Sequence, residues 1–112
     1  MKVFVYGTLK KGRSNSSLLR NTKYLGESEK KGFYMVSLGG FPTVVHGTEE
    51  DSVYGEVYEI TPEIFTSLDR LEGYPDLFNR EEIPTEYGQA IIYFLTSSRE
   101  TMYYPKVEGG KW

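Results

Sequence analysis

Along most of this chain the apolar residues fall in short alternating or β-branched blocks, and a single stretch carries the spacing of a helix. The first block, Lys2 to Tyr6, stops at Gly7, the pattern of a buried strand running into a backbone-rich loop. Gly7 to Ser17 is rich in Gly, Ser, Thr and cations and leads into Leu18 and Leu19, which predicts a loop closed by a short helical turn capped by Asn15 or Ser16. Further strands are predicted at Lys23 to Leu25, Phe33 to Leu38, Thr43 to His46 and Val53 to Ile60, each bounded by Gly, Pro or a polar cluster. In the last of these, Val53, Gly55, Val57 and Glu59 alternate with Tyr54, Glu56, Tyr58 and Ile60, so both faces meet aromatic or apolar neighbours.

The helix has clear ends. Thr61 is placed to cap it, Pro62 takes its first position and Glu63 adds a negative charge where the macrodipole favours one. Ile64, Phe65, Leu68 and Leu71 form one apolar stripe, and Gly73 followed by Pro75 ends the element after Glu72. Arg80 to Thr85, a turn at Tyr87 and Gly88, and Gln89 to Leu95 read as a hairpin, and the tail to Trp112 reads as coil. Strands outnumber helices, which gives an α+β class with a mixed or antiparallel sheet able to curl into a small barrel.

Composition narrows this further. A chain of 112 residues is expected to form one domain over 1–112, and its 15% aromatic content, with ten Tyr and six Phe, is what makes one core sufficient at this size. A net charge of −3 argues against nucleic acid or an anionic membrane as partner. With no cysteine and His46 as the one histidine, thiolate chemistry, cysteine-bound metal and His-pair zinc sites are excluded. No apolar run approaches the roughly 20 residues that cross a bilayer, and Met1 leads straight into a strand rather than a signal peptide, so the expected location is cytoplasmic and the default state a monomer.

Gly7 to Ser14 nearly spells the phosphate-binding pattern G-x-x-x-x-G-K-[ST], but Arg13 stands where the lysine belongs, and one helix does not supply the repeated strand-helix-strand units such a fold needs. What survives is more general: successive backbone N–H groups in a glycine loop form a nest for a carboxylate or other oxyanion, the alternative being a plain surface turn. Glu72 lies in the last helical turn, where the macrodipole and Asp69 three residues earlier both push its pKa upward, as general acid-base work requires. From its position alone, a solvated glutamate is the commoner outcome. Tyr6, Tyr54, Tyr58 and Tyr93 lie in predicted strands, where packing competes with a role lining a concavity. Lys10, Lys11 and Arg13 could steer an anion or simply be solvated, Arg80 could grip a carboxylate or form a structural ion pair, and His46 reads as structural.

Three blocks, Val5-Tyr6-Gly7-Thr8-Leu9-Lys10-Lys11-Gly12, Gly55-Glu56-Val57-Tyr58 and Leu68-Asp69-Arg70-Leu71-Glu72-Gly73-Tyr74, resemble in order the γ-glutamylcyclotransferase-like, or AIG2-like, family. The opening is most similar to γ-glutamylamine cyclotransferases and small bacterial and archaeal members, and the likeness runs through Tyr93 to Gly109-Gly110-Lys111-Trp112. The resemblance implies a small mixed β-barrel with short helices and a cofactor-free, metal-free reaction on a small-molecule γ-glutamyl substrate, whose α-amine attacks its own side-chain carbonyl to give 5-oxoproline and release the attached amine or amino acid. It implies Glu72 as acid-base catalyst, Tyr6, Gly7, Thr8 and Leu9 as the substrate-binding loop, and Arg80 and Tyr93 as further binding residues. Where the family often has Tyr-x-Arg, this chain has Phe78-Asn79-Arg80. The rival reading is a binding or regulatory module that holds a small carboxylate on the same fold without turning it over.

Overall fold

A computed structural model describes residues 1–96 and 103–112. Seven strands and one α-helix follow in the order β1 Lys2–Val5, β2 Lys23–Lys31, β3 Phe33–Ser37, β4 Pro42–His46, β5 Ser52–Glu59, α1 Pro62–Glu72, β6 Phe78–Thr85 and β7 Gly88–Leu95. Single 3-10 turns stand at Ser16–Leu19 and Glu108–Gly110. Five strands form a sheet in the order β2-β5-β1-β7-β6, in which β1 and β7 run parallel and the other neighbours antiparallel, while β3 and β4 pair separately. The mixed sheet and α+β class agree with the expectation from the sequence. No described helix is long and apolar enough to cross a membrane.

The helix ends where its residues dictate. Thr61 Oγ1 accepts from the Ile64 N–H at 3.3 Å, and Gly73, in the left-handed conformation at φ 69°, lets its own N–H reach Arg70 O and the Tyr74 N–H reach Asp69 O. Leu68 is fully buried and Ile64 and Phe65 pack against the same cluster as Val3, Val5, Leu9 and Tyr58. Leu71, expected on this stripe, turns out of the core instead.

The barrel does not close. β2 and β6 are both edges, joined by side chains rather than a ladder: Ser28 Oγ donates to Glu86 Oε1 at 2.5 Å, Tyr87 Oη to Glu27 O at 3.1 Å and Lys30 Nζ to Pro84 O at 3.4 Å. Proline in β6 has no N–H to offer a partner strand, and charged side chains on β2 resist pairing. The β3–β4 ribbon covers the opening. Leu95 N–H donates to Thr43 Oγ1 at 2.9 Å, and Phe4, Phe33, Met35, Val44, Val57 and Ile92 fill the space between.

Two further expectations are corrected. β2 continues beyond Leu25 to Lys31 because β5 supplies ladder partners for a polar edge that has no apolar pattern of its own, with a bulge at Gly26 under the Tyr87 ring. The described part of the tail is not free coil: Ser37 N–H donates to Pro105 O, Val107 N–H to Met35 O, and Gly110 is buried against Ser52. His46 is structural, its Nε2 lying 2.7 Å from Glu81 Oε1, a buried oxygen with no other partner, which fixes Nε2–H as the donor.

Candidate functional site

The loop after β1 is shaped by packing and by two internal bonds. Gly7 has no room for a side chain, since a Cβ there would lie 2.8 Å from Pro42 Cδ. Asn15 N–H donates to Thr8 O at 2.9 Å and Asn15 Nδ2 to Thr8 Oγ1 at 2.9 Å, folding the loop back on itself. Asn15 thus occupies the cap position of the 3-10 turn while its side chain is spent on Thr8. Among the described residues, the N–H groups of Gly7, Thr8 and Leu9 donate to no backbone carbonyl, so they remain open to an acceptor.

The loop cations turn elsewhere. Lys10 Nζ and Arg13 Nη2 donate to Trp112 O at 2.9 and 2.7 Å, and Lys11 Nζ lies 3.8 Å over the Tyr24 ring. Burial, with Arg13 beside it, lowers the Lys10 pKa. A 3-10 turn and an antiparallel edge strand follow the loop, so the phosphate-loop reading has neither its helix nor its lysine.

Glu72 closes α1 and faces this loop across a cavity of about 430 Å³ that Tyr6, Gly7, Thr8 and Leu9 also line. Its carboxylate has no described side-chain partner, and burial pushes its pKa from the ordinary 4.5 up to about 7. The direction matches the expectation; the cause does not. Asp69 adds no repulsion because its charge is already answered: Arg80 Nε and Nη2 donate to it at 3.0 and 3.3 Å, and Tyr93 Oη donates to Oδ1 at 2.6 Å.

Tyr93 and Tyr6 both reach the cavity. Burial and the Asp69 bond hold the Tyr93 phenol far above its usual pKa, and burial followed by the Glu72 charge does the same for Tyr6, whose hydroxyl donates to Tyr93 O at 2.6 Å. Both are neutral phenols across the physiological range. Arg80 does not line the cavity; it stacks over Tyr74 at 3.8 Å and Phe65 at 4.6 Å and fixes Asp69, which fixes Tyr93. Tyr58 packs in the core with its hydroxyl on Glu56, and Tyr54 is exposed on the other side of the sheet region, so neither belongs to this site. Sequence reasoning missed Asn15 and Phe41-Pro42 as wall residues and Asp69 as the clamp on Tyr93; the only local signal for the last was its place one helical turn before Glu72.

Chemically, the site offers one carboxylate able to take and return a proton near neutrality, opposite a set of open backbone donors for an oxyanion.

Residues 3–112 match the family described as gamma-glutamyl cyclotransferase, AIG2-like. A Vibrio cholerae serotype O1 chain named as a candidate gamma-glutamylcyclotransferase is 37% identical over 111 residues, covering 98% of this chain and 93% of its own length. The Escherichia coli protein YtfP, named as a gamma-glutamylcyclotransferase family protein, is 33% identical, and its solution structure superposes with a TM-score of 0.79 over 100% of this chain and 96% of its own. An AIG2-like protein from mouse has the same fold at 22% identity, with a TM-score of 0.84 over 99% of this chain and 86% of its own.

Proposed function

Because the chain belongs to the gamma-glutamyl cyclotransferase, AIG2-like family, we propose that it is a cofactor-independent enzyme that cyclises a γ-glutamyl group to 5-oxoproline and releases the attached amine or amino acid. The observation that carries this reading is the sharing of one cavity by the Tyr6–Leu9 loop and a half-buried Glu72 whose pKa lies near 7.

Both reacting atoms belong to one substrate, so the protein's task is to fold the glutamyl chain into an attack geometry and to move one proton. The open N–H groups of Gly7, Thr8 and Leu9 suit the α-carboxylate, which anchors the adjacent α-amine toward Glu72. Ionised Glu72 accepts a proton from the α-ammonium, and the freed amine attacks the γ-carbonyl, forming the ring C–N bond. The amide C–N bond then breaks as Glu72 returns the proton to the departing nitrogen. Atoms balance without water: one γ-glutamyl amide gives one 5-oxoproline and one amine. A carboxyl with a pKa near 7 suits both directions of transfer, being present in each protonation state at neutral pH. Tyr93, fixed by Asp69 and in turn by Arg80, keeps a neutral phenol at the edge of the reacting centre, and Arg80 serves it from behind the wall.

The test is release of 5-oxoproline, followed by mass spectrometry, from γ-glutamyl amides and γ-glutamyl amino acids with the wild type and Glu72→Gln. Wild-type release that the variant loses supports the enzyme. Binding of 5-oxoproline by both proteins without release from any substrate would leave the non-catalytic binding module instead.

A further inference from the structure

Away from the loop and Glu72, the wall of the cavity is hydrocarbon. The Phe41 and Phe78 rings lie 6.3 Å apart on one side, and Leu71 and Leu77 stand on the other. Phe41, Leu71 and Leu77 remain 42%, 42% and 54% exposed, three large apolar side chains turned to solvent around a single opening. Single exposed leucines are ordinary, but a ring of them around a cavity that also holds a carboxylate with a raised pKa is not. Their placement is fixed. Leu71 directly precedes Glu72, so the helix end that presents the carboxylate presents this isobutyl group too, and the Leu77 N–H donates to Gly73 O at 2.9 Å in the turn that ends the helix.

The same cavity is poor in charge. Glu72 is the one Asp or Glu lining it, and no Lys or Arg does. Lys10 and Arg13 are held at Trp112 O, Lys11 lies over Tyr24, and Arg80 is forked on Asp69.

We propose that this apolar half receives the departing amine and selects γ-glutamyl amides of uncharged, apolar amines over γ-glutamyl amino acids and over amides of diamines, with Phe41, Leu71 and Leu77 as the specificity-determining residues. The proposal rests on the cyclotransferase reading and names its substrate class. A γ-glutamyl amino acid brings a second carboxylate. The open N–H groups serve the first, and the second would enter hydrocarbon without a cation, beside a Glu72 that must be ionised to act. A second ammonium fares no better, because the one carboxylate within reach is committed to the α-amine. An aliphatic or aromatic amine instead covers Phe41, Leu71 and Leu77 and gains their burial.

Three amides of similar size separate these cases: γ-glutamyl-isopentylamide, γ-glutamyl-leucine, which adds a carboxylate to it, and the mono-γ-glutamyl amide of 1,5-diaminopentane, which ends in an ammonium. The readouts are kcat/KM for 5-oxoproline release by the wild type, Leu77→Lys and Leu77→Glu, and Kd by calorimetry on Glu72→Gln. Leu77 is exposed, so a charge there leaves the core untouched. The isopentylamide should lead both charged amides by about tenfold or more in kcat/KM. Leu77→Lys should narrow the gap to γ-glutamyl-leucine alone, and Leu77→Glu the gap to the diamine amide alone. Equal rates for the three amides, or a ranking that neither variant moves, would overturn the proposal while leaving the cyclotransferase intact, since 5-oxoproline would still form. If no amide yields 5-oxoproline, the cyclotransferase reading fails; the same ranking in Kd would still support the apolar subsite, and its absence would overturn that as well.

Discussion

Replacing Glu72 by glutamine should stabilise the fold at neutral and alkaline pH while stopping product release. Burial raises the Glu72 pKa from 4.5 to about 7, so between these values the folded chain holds a proton that the unfolded chain has released. Wild-type stability must therefore fall as pH rises through that window and level off above it. Each tenfold change in proton affinity is worth about 1.4 kcal/mol, which puts the full penalty at about 3 kcal/mol. Water reaching the half-buried carboxylate trims this to about 2 kcal/mol, a shift of about 1 M in a urea midpoint for a chain of this size. Glutamine keeps the shape and has no proton to lose. Urea unfolding of both proteins from pH 4 to pH 9 should give curves that coincide at the acid end and separate progressively toward pH 8, with the variant more stable. A difference that is constant with pH, or a variant less stable at pH 8 than the wild type, would refute burial as the source of the raised pKa.

Other consequences follow from the surrounding geometry. Asp69→Asn removes the charge that Arg80 grips and the acceptor of the Tyr93 hydroxyl, and should cost about 2–3 kcal/mol in chemical unfolding, against about 1 kcal/mol for Tyr93→Phe, which loses one bond. Gly7→Ala forces the loop away from Pro42, so calorimetry should show weakened binding of 5-oxoproline, with stability lower by about 1–3 kcal/mol. The double change Ser28→Ala with Tyr87→Phe unties the two sheet edges, and hydrogen exchange should speed up at the free ends of β2 and β6 before it does in β1.

Elements governed by local chemistry were legible from the residues alone. Thr61, Pro62 and Gly73 mark the helix because each satisfies or removes a terminal backbone group, and the β1 block and its glycine turn stand out for similar reasons. What depended on partners distant in sequence was not. The polar half of β2 becomes a strand only because β5 lies beside it, the tail is ordered by β3 and by Ser52, and the open edge between β2 and β6 reflects side-chain closure that no periodicity encodes. Leu71 looked like core because its spacing fits the apolar stripe, yet the stripe is wider than the surface that covers it. Glu72 was found for partly the wrong reason: spacing placed Asp69 beside it, but only the fold brings Arg80 and Tyr93 to neutralise that neighbour and leaves burial as the source of the raised pKa.

The central claim is that Glu72 carries the proton of a γ-glutamyl cyclisation, and the pH dependence of kcat/KM for 5-oxoproline release tests it most directly. Glu72 must be ionised to accept the ammonium proton, so activity should fall on the acid side with a limb that bends near pH 7. A limb that bends near 4.5, the ordinary value for a glutamate, would contradict the role assigned to the buried carboxylate, and no 5-oxoproline at any pH would contradict the reaction itself.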